Sequence, residues 1–99
     1  GHGAGDDVLV AFARMLGATV RRDIDCVARY GGEEFVVLMP QTDLAGALAA
    51  GEKLRAATAA LAIETGGQQL HVTASFGVAM LQPEWPEAPV VGMLLEQAD

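Results

Sequence analysis

The pair Gly31-Gly32, set between two short apolar runs, constrains this chain more than any other feature. Cys26 to Tyr30 and Phe35 to Met39 each have the length and apolar content of a strand, and a Gly-Gly pair readily supplies the positive φ angles of a tight hairpin turn. The chain is therefore expected to double back here, with Glu33 and Glu34 directly after the turn. Glycines leave no Cβ in the way of an approaching phosphate, and two glutamates offer hard oxygen ligands to a Mg2+-type ion. Nucleotide chemistry is one use of such a turn. A hairpin whose glutamates are simply solvated uses the same residues. Successive strand residues point to opposite faces, so both carboxylates reach one ion only if the turn rotates one of them.

The flanking segments read as helix, then helix, hairpin and helix. Asp6 or Asp7 is placed to cap a helix running to about Val20, with Leu9, Phe12, Leu16 and Val20 at spacings of 3, 4 and 4 forming its core stripe. Arg21 and Arg22 follow at its C-terminal end, where cations favour the helix dipole. Pro40-Gln41-Thr42-Asp43 breaks the second strand and caps an alanine-rich helix from about Leu44 to Leu61. Its expected packed face is Leu44, Leu48, Gly51, Leu54, Thr58 and Leu61. Ala62 to Thr65 and Gln69 to Met80 flank a second glycine turn, Gly66-Gly67. In the latter run Val72, Ala74, Phe76, Val78 and Met80 form the buried face, alternating with His71, Thr73, Ser75 and Gly77. Gln82 to Pro89 reads as a loop with Trp85 as an aromatic anchor, and Val90 to Ala98 as the start of a last helix. His2 and His71 have no metal-ligand partner at useful spacing.

Composition narrows the function. Ninety-nine residues with 52% hydrophobic content fit one domain or part of one. No run reaches the roughly 18 uncharged apolar residues that cross a bilayer, and no signal peptide is expected from the opening Gly-His with two aspartates. A net charge of −7 argues against a nucleic-acid polymer or an anionic membrane as partner. Small phosphorylated ligands stay compatible, because a metal ion and a few arginines override the global sign locally. The single cysteine, Cys26, excludes an internal disulfide, fits a reducing cytoplasmic compartment and is expected to be a small packed hydrophobe.

Gly31-Gly32-Glu33-Glu34-Phe35 resembles the signature of the GGDEF family of diguanylate cyclases, in its GGEEF spelling. Gly1-His2-Gly3-Ala4-Gly5-Asp6 is similar to the family's Gly-His-x-x-Gly-Asp segment. Arg22-Asp23-Ile24-Asp25 matches its Arg-x-x-Asp inhibitory motif, with the usual five residues before the signature. Val72-Thr73-Ala74-Ser75-Phe76-Gly77-Val78-Ala79 resembles its Val-Thr-x-Ser-x-Gly-Val-Ala strand. One such motif is weak; four in order across nearly the whole chain are specific.

The resemblance implies an α+β fold like the palm of polymerases and nucleotidyl cyclases, with a largely antiparallel central sheet flanked by helices. It implies condensation of two GTP into cyclic di-GMP with release of pyrophosphate, using Mg2+ or Mn2+. Glu33 and Glu34 would be the metal ligands and catalytic carboxylates, and Gly31 and Gly32 would admit the phosphates. Arg29 would stabilise phosphate charge, though a solvated strand arginine is the plain alternative. Asp6 would read the guanine edge, where the residue types alone make it a helix cap. Arg22 and Asp25 would bind the product and restrain the enzyme. Lys53 takes the place of an arginine that usually joins them, and its point charge in place of a planar fork would weaken that inhibition. Each domain holds one GTP, so a homodimer is implied, arranged by a sensory domain outside this sequence. The expected location is the cytoplasm, free or as the cytoplasmic part of a membrane-anchored sensor, with no direct membrane contact.

Residues 1–99 are expected to be a fragment of such a domain. The family's first strand with its metal-binding aspartate, its Lys-x-x-Asn-Asp helix and its C-terminal Ala-Leu-Tyr-x-x-Ala-Lys and Gly-Arg-Asn segments have no counterpart here. The expectation is that this stretch alone does not cyclise GTP. The alternative function is a non-catalytic module that binds GTP or cyclic di-GMP as a sensor. The intact Glu33-Glu34 pair argues against it, because such modules usually lose one of these carboxylates.

Overall fold

A computed structural model describes residues 4–80 and 90–96 of the chain. Among them are α1 (Ala4–Thr19), β1 (Cys26–Arg29), β2 (Glu34–Leu38), α2 (Leu44–Ala60), β3 (Ala62–Thr65), β4 (Gln68–His71), β5 (Thr73–Ala79) and β6 (Val90–Glu96). β1, β2, β6 and β5 form one antiparallel sheet in that order, and β3 and β4 pair as a separate hairpin. This is the expected α+β arrangement with an antiparallel sheet.

The alternation of β2 decides which side of the sheet is core. Phe35 and Val37 are buried and, with Met93 and Val91 beside them on β6, face the helices. Phe12 of α1 packs edge-on against Phe35, ring centroids 5.2 Å apart, an arrangement worth roughly 1 kcal/mol beyond its area. From the opposite flank α2 lies on β5 and β6, where the position of a Gly51 Cβ would be 3.7 Å from Val78 Cγ2 and 4.0 Å from Val91 Cγ1. Both helices thus cover one face. Glu34, Ser75, Gly77 and Leu94 stand exposed on the other.

Several expectations change. The segment read as a last helix, from Val90, is the strand β6, in the central slot between β2 and β5. Its apolar residues are almost continuous, a pattern that suits a strand paired on both edges as well as a helix turn, and pairing decides. The rest of that expected helix, residues 97–98, and the loop Gln82 to Pro89 lie outside the described residues. The run Gln69 to Met80 is two strands, broken at Val72, with β4 on the β3 hairpin and β5 in the main sheet. Met80 lies past the end of β5 and is exposed.

The buried face of α2 is Ala47, Gly51, Leu54 and Thr58, while Leu44 and Leu48 are about half exposed. The small residues win because only they let the helix axis come close to the sheet. Thr58 is buried at no polar cost, since its hydroxyl donates to the Leu54 carbonyl at 2.8 Å. Cys26 is exposed. It pairs with Leu38 on the edge strand β1, on the face the helices leave uncovered. Asp6 and Asp7 lie within the first turn of α1, which begins at Ala4, and so are not its N-cap. Asp43 does cap α2, accepting from the Gly46 amide at 2.7 Å.

Candidate active site

The turn between β1 and β2 spans residues 30–33 and is wider than a two-residue hairpin. Positive φ angles, expected at Gly31 and Gly32, occur at neither; among described glycines they fall at Gly66 and Gly67, in the β3–β4 turn. The bend is closed instead by the amides of Tyr30 and Gly31, which both donate to the Glu34 carbonyl at 2.8 and 3.3 Å. Its outer side is held by Arg29. The Arg29 Nε donates to the carbonyls of Gly31 and Gly32, both at 3.1 Å, and Nη2 donates to Gly32 at 2.6 Å. The Leu95 amide of β6 donates to the Glu33 carbonyl at 2.8 Å, tying the turn to the central strand.

This scaffold presents two adjacent exposed carboxylates. Glu34 opens β2 on the uncovered face, and its side chain lies over Gly31, where the position of a Cβ would be 3.4 Å from Oε1. Around Gly32 a Cβ would meet nothing within 4 Å. Among the described residues no group of three or more His, Cys, Asp or Glu is gathered at one place. Gly32 therefore leaves open space beside the carboxylates, the room over Gly31 is taken by Glu34, and Arg29 fixes the backbone of the turn.

A cleft of about 300 Å³ adjoins the turn, between α1 and β1, lined by Leu9, Val10, Ala13, Val27, Arg29 and Phe35. Asp6 stands one helical turn before Leu9 and Val10, on the same face of α1. It is exposed and does not line the cleft. Its neighbour Asp7 accepts a hydrogen bond from Thr65 Oγ1 and joins α1 to the β3–β4 hairpin.

Of the residues expected to bind product, Arg22 and Asp25 lie in the loop between α1 and β1, at the end of β1 opposite the turn, and Lys53 lies on α2. A second cleft, about 200 Å³, is lined by Arg21, Asp25, Met39, Thr42, Lys53 and Leu54 among others. Lys53 and Asp25 are thus brought together. Arg22 is exposed, pairs with nothing among the described residues and does not line this cleft. The residue missed from the sequence is Arg21. Its backbone amide donates to Asp25 Oδ2 at 2.8 Å, its Nε to both carboxylate oxygens at 3.1 Å, and its Nη2 to Oδ1 at 2.6 Å. The same Nη2 also reaches the Pro40 carbonyl at 3.2 Å and Thr42 Oγ1 at 2.6 Å. The spacing of four residues was the available signal, but in a loop that spacing does not separate Arg21 from Arg22.

The Asp25 side chain has no exposed surface, whereas that of Arg21 is 44% exposed. Burial alone pushes the Asp25 carboxyl up; hydrogen bonds from the Arg21 guanidinium and amide, with the charge of Arg21, outweigh it and hold it below the usual carboxylate value.

Over residues 1–99 the sequence matches the family described as "Diguanylate cyclase, GGDEF domain". The chain belongs to the GGDEF family. Among curated relatives, the response regulator PleD of Caulobacter vibrioides is 45% identical over 103 residues, which cover 100% of this chain and 21% of that protein. Diguanylate cyclase A of Treponema denticola is 39% identical over 79 residues, 80% of this chain and 21% of that protein. Diguanylate cyclase DgcP of Pseudomonas aeruginosa is 44% identical over 82 residues, 83% of this chain and 12% of that protein. The GGDEF chain described here thus spans about a fifth, or less, of the length of these relatives. No solved structure matches it. No described helix is long and apolar enough to cross a membrane.

Proposed function

We propose that this chain is part of a diguanylate cyclase domain that condenses two GTP into cyclic di-GMP with release of two pyrophosphates. The observation that carries the reading is the intact Gly31-Gly32-Glu33-Glu34-Phe35 motif, with Gly32, Glu33 and Glu34 exposed at a sheet end, in a chain that matches the family along its length. In each half-reaction the 3′-hydroxyl of one GTP attacks the α-phosphorus of the other, and the bond to the leaving pyrophosphate breaks. The hydroxyl proton must be accepted as the new ester bond forms. Glu33 is the residue proposed to take it or to hold the ion that helps remove it.

The donor set of Glu33 and Glu34 is chemically suited to Mg2+ or Mn2+, which are held by one or two carboxylates with substrate phosphates and water completing the shell. A divalent ion there supplies Lewis acidity at the α-phosphate and neutralises charge on the pyrophosphate. The protein's own part is positional. Gly31 and Gly32 are proposed to admit phosphate oxygens, and Arg29, engaged with the turn carbonyls, to keep the turn in shape while its positive charge lowers the local repulsion of a polyphosphate. Asp6, in the first turn of α1, is proposed to accept from the guanine ring N–H and exocyclic amine.

Ring closure needs two such sites facing each other, so the working form is proposed to be a homodimer, arranged by segments outside this chain. Product inhibition is proposed to act through Arg22 and Asp25, with Lys53 as an auxiliary cation. The proposed function is tested by incubating the full protein with GTP and Mg2+ and detecting cyclic di-GMP by mass spectrometry. Product formation supports it. Retained GTP binding without product, under enforced dimerisation, contradicts it and favours a nucleotide sensor.

A further inference from the structure

The carboxylate assigned to product recognition is already occupied by the protein itself. Both oxygens of Asp25 are bonded to Arg21, and the side chain has no exposed surface. A guanine edge bonding to Asp25 needs those same oxygens. The guanidinium that covers them is anchored further by Thr42 Oγ1 and the Pro40 carbonyl, on the far side of the cleft that also holds Lys53. The two loops it joins are each held in an unusual backbone state, with left-handed φ at Asp23 (67°) and Gln41 (56°), neither a glycine. A left-handed φ is disfavoured for a residue that carries a side chain. The guanidinium half of the clasp is 44% exposed, so Arg21 can pass from the carboxylate to solvent, while Asp25 has no exposed surface of its own.

We propose that Arg21 is an internal competitor for Asp25: cyclic di-GMP engages Arg22 and Asp25 only when Arg21 lets go of the carboxylate. This rests on the product-binding reading above. A released Arg21 trades its carboxylate for solvent or for a phosphate of the incoming product, and the loops 21–25 and 40–42 separate. The balance between closed clasp and bound product then sets the concentration at which product restrains the protein. Arg21 acts through Asp25 and is a positioning residue, not a catalytic one.

Calorimetric titration of the full protein with cyclic di-GMP tests this, using wild type, Arg21→Gln, Arg22→Ala and Asp25→Asn. Arg21→Gln is expected to bind product roughly three- to fivefold tighter, the factor by which an ion pair with a part-exposed guanidinium would hold the site closed. Arg22→Ala and Asp25→Asn are expected to bind much more weakly. A merely structural clasp gives the opposite sign, because its loss loosens the site. If Arg21→Gln unfolds the protein, Thr42→Val removes one anchor of the guanidinium without touching Asp25 and is expected to tighten binding in the same direction. Unchanged or weaker binding in these variants, with Arg22→Ala and Asp25→Asn still impaired, overturns the competitor while leaving the product site standing. Wild-type binding in Arg22→Ala and Asp25→Asn overturns the product site, and the competitor with it.

Discussion

Two glycines of α2, only five positions apart, are expected to respond in opposite ways to the same substitution. In a helix interior, replacing glycine by alanine gains about 1 kcal/mol because alanine loses less backbone freedom on folding. At Gly51 that gain is realised. The new methyl would sit 3.7 Å from Val78 Cγ2 and 4.0 Å from Val91 Cγ1, ordinary packing distances, so Gly51→Ala is expected to stabilise the fold by about 1 kcal/mol. At Gly46 the methyl would sit 2.9 Å from Thr42 Cγ2 and 3.1 Å from Asp43 Oδ1. Thr42 is β-branched and its hydroxyl is held between Arg21 and Pro40, so it yields poorly. Displacing the Asp43 cap costs about 1 kcal/mol, and losing the Thr42 bonds about another. Gly46→Ala is therefore expected to be a net loss of roughly 1 kcal/mol despite the gain in propensity. Urea denaturation followed by circular dichroism reads the difference, about 2 kcal/mol between the two variants. Equal shifts of the same sign would refute the placement of α2 against β6 and of its cap against Thr42.

Further outcomes follow from the packing and the charges. Leu54→Ala is expected to cost about 2–5 kcal/mol and Leu48→Ala less than about 0.5, since Leu54 is 1% exposed and Leu48 54%; comparable losses in urea midpoints would restore the face expected from the sequence. Because the folded-state Asp25 carboxyl titrates below its ordinary value, its stabilisation is full above the unfolded pKa and is lost as pH falls through the folded one. Asp25→Asn should flatten that acid limb of a stability-against-pH curve, and an unchanged limb would count against the Arg21 clasp. Cα chemical shifts of residues 90–96 are expected to be strand-like, and helical values would contradict β6.

How much of this was legible differs from segment to segment. The reversal at Gly31-Gly32 was clear because two strand-length apolar runs leave no other option, yet the turn's φ angles were not, because Arg29 and the Glu34 carbonyl fix the bend without them. Asp43 and the Gly66-Gly67 hairpin were read correctly, since capping and turn chemistry are local. Leu44 and Leu48 were misplaced because size, not hydrophobicity alone, chooses the side of α2 that meets the sheet. Val90 to Glu96 became a strand for a reason no local window contains, the pairing of both its edges with β2 and β5. In the candidate site, Glu33 and Glu34, singled out by motif, stand exposed side by side, whereas Arg21 was eclipsed by its neighbour. Which of two adjacent arginines closes on Asp25 depends on how the loop 21–25 turns, which includes a left-handed residue at Asp23.

The most direct measurement of the central claim is GTP turnover by the full protein beside Glu33→Gln, with nucleotide binding measured on both. The account predicts cyclic di-GMP from the wild type and a loss of roughly a hundredfold or more in the variant, as removal of a group acting in the transition state produces, while GTP still binds. Turnover unchanged by Glu33→Gln would contradict the assignment of chemistry to the Gly31–Phe35 turn.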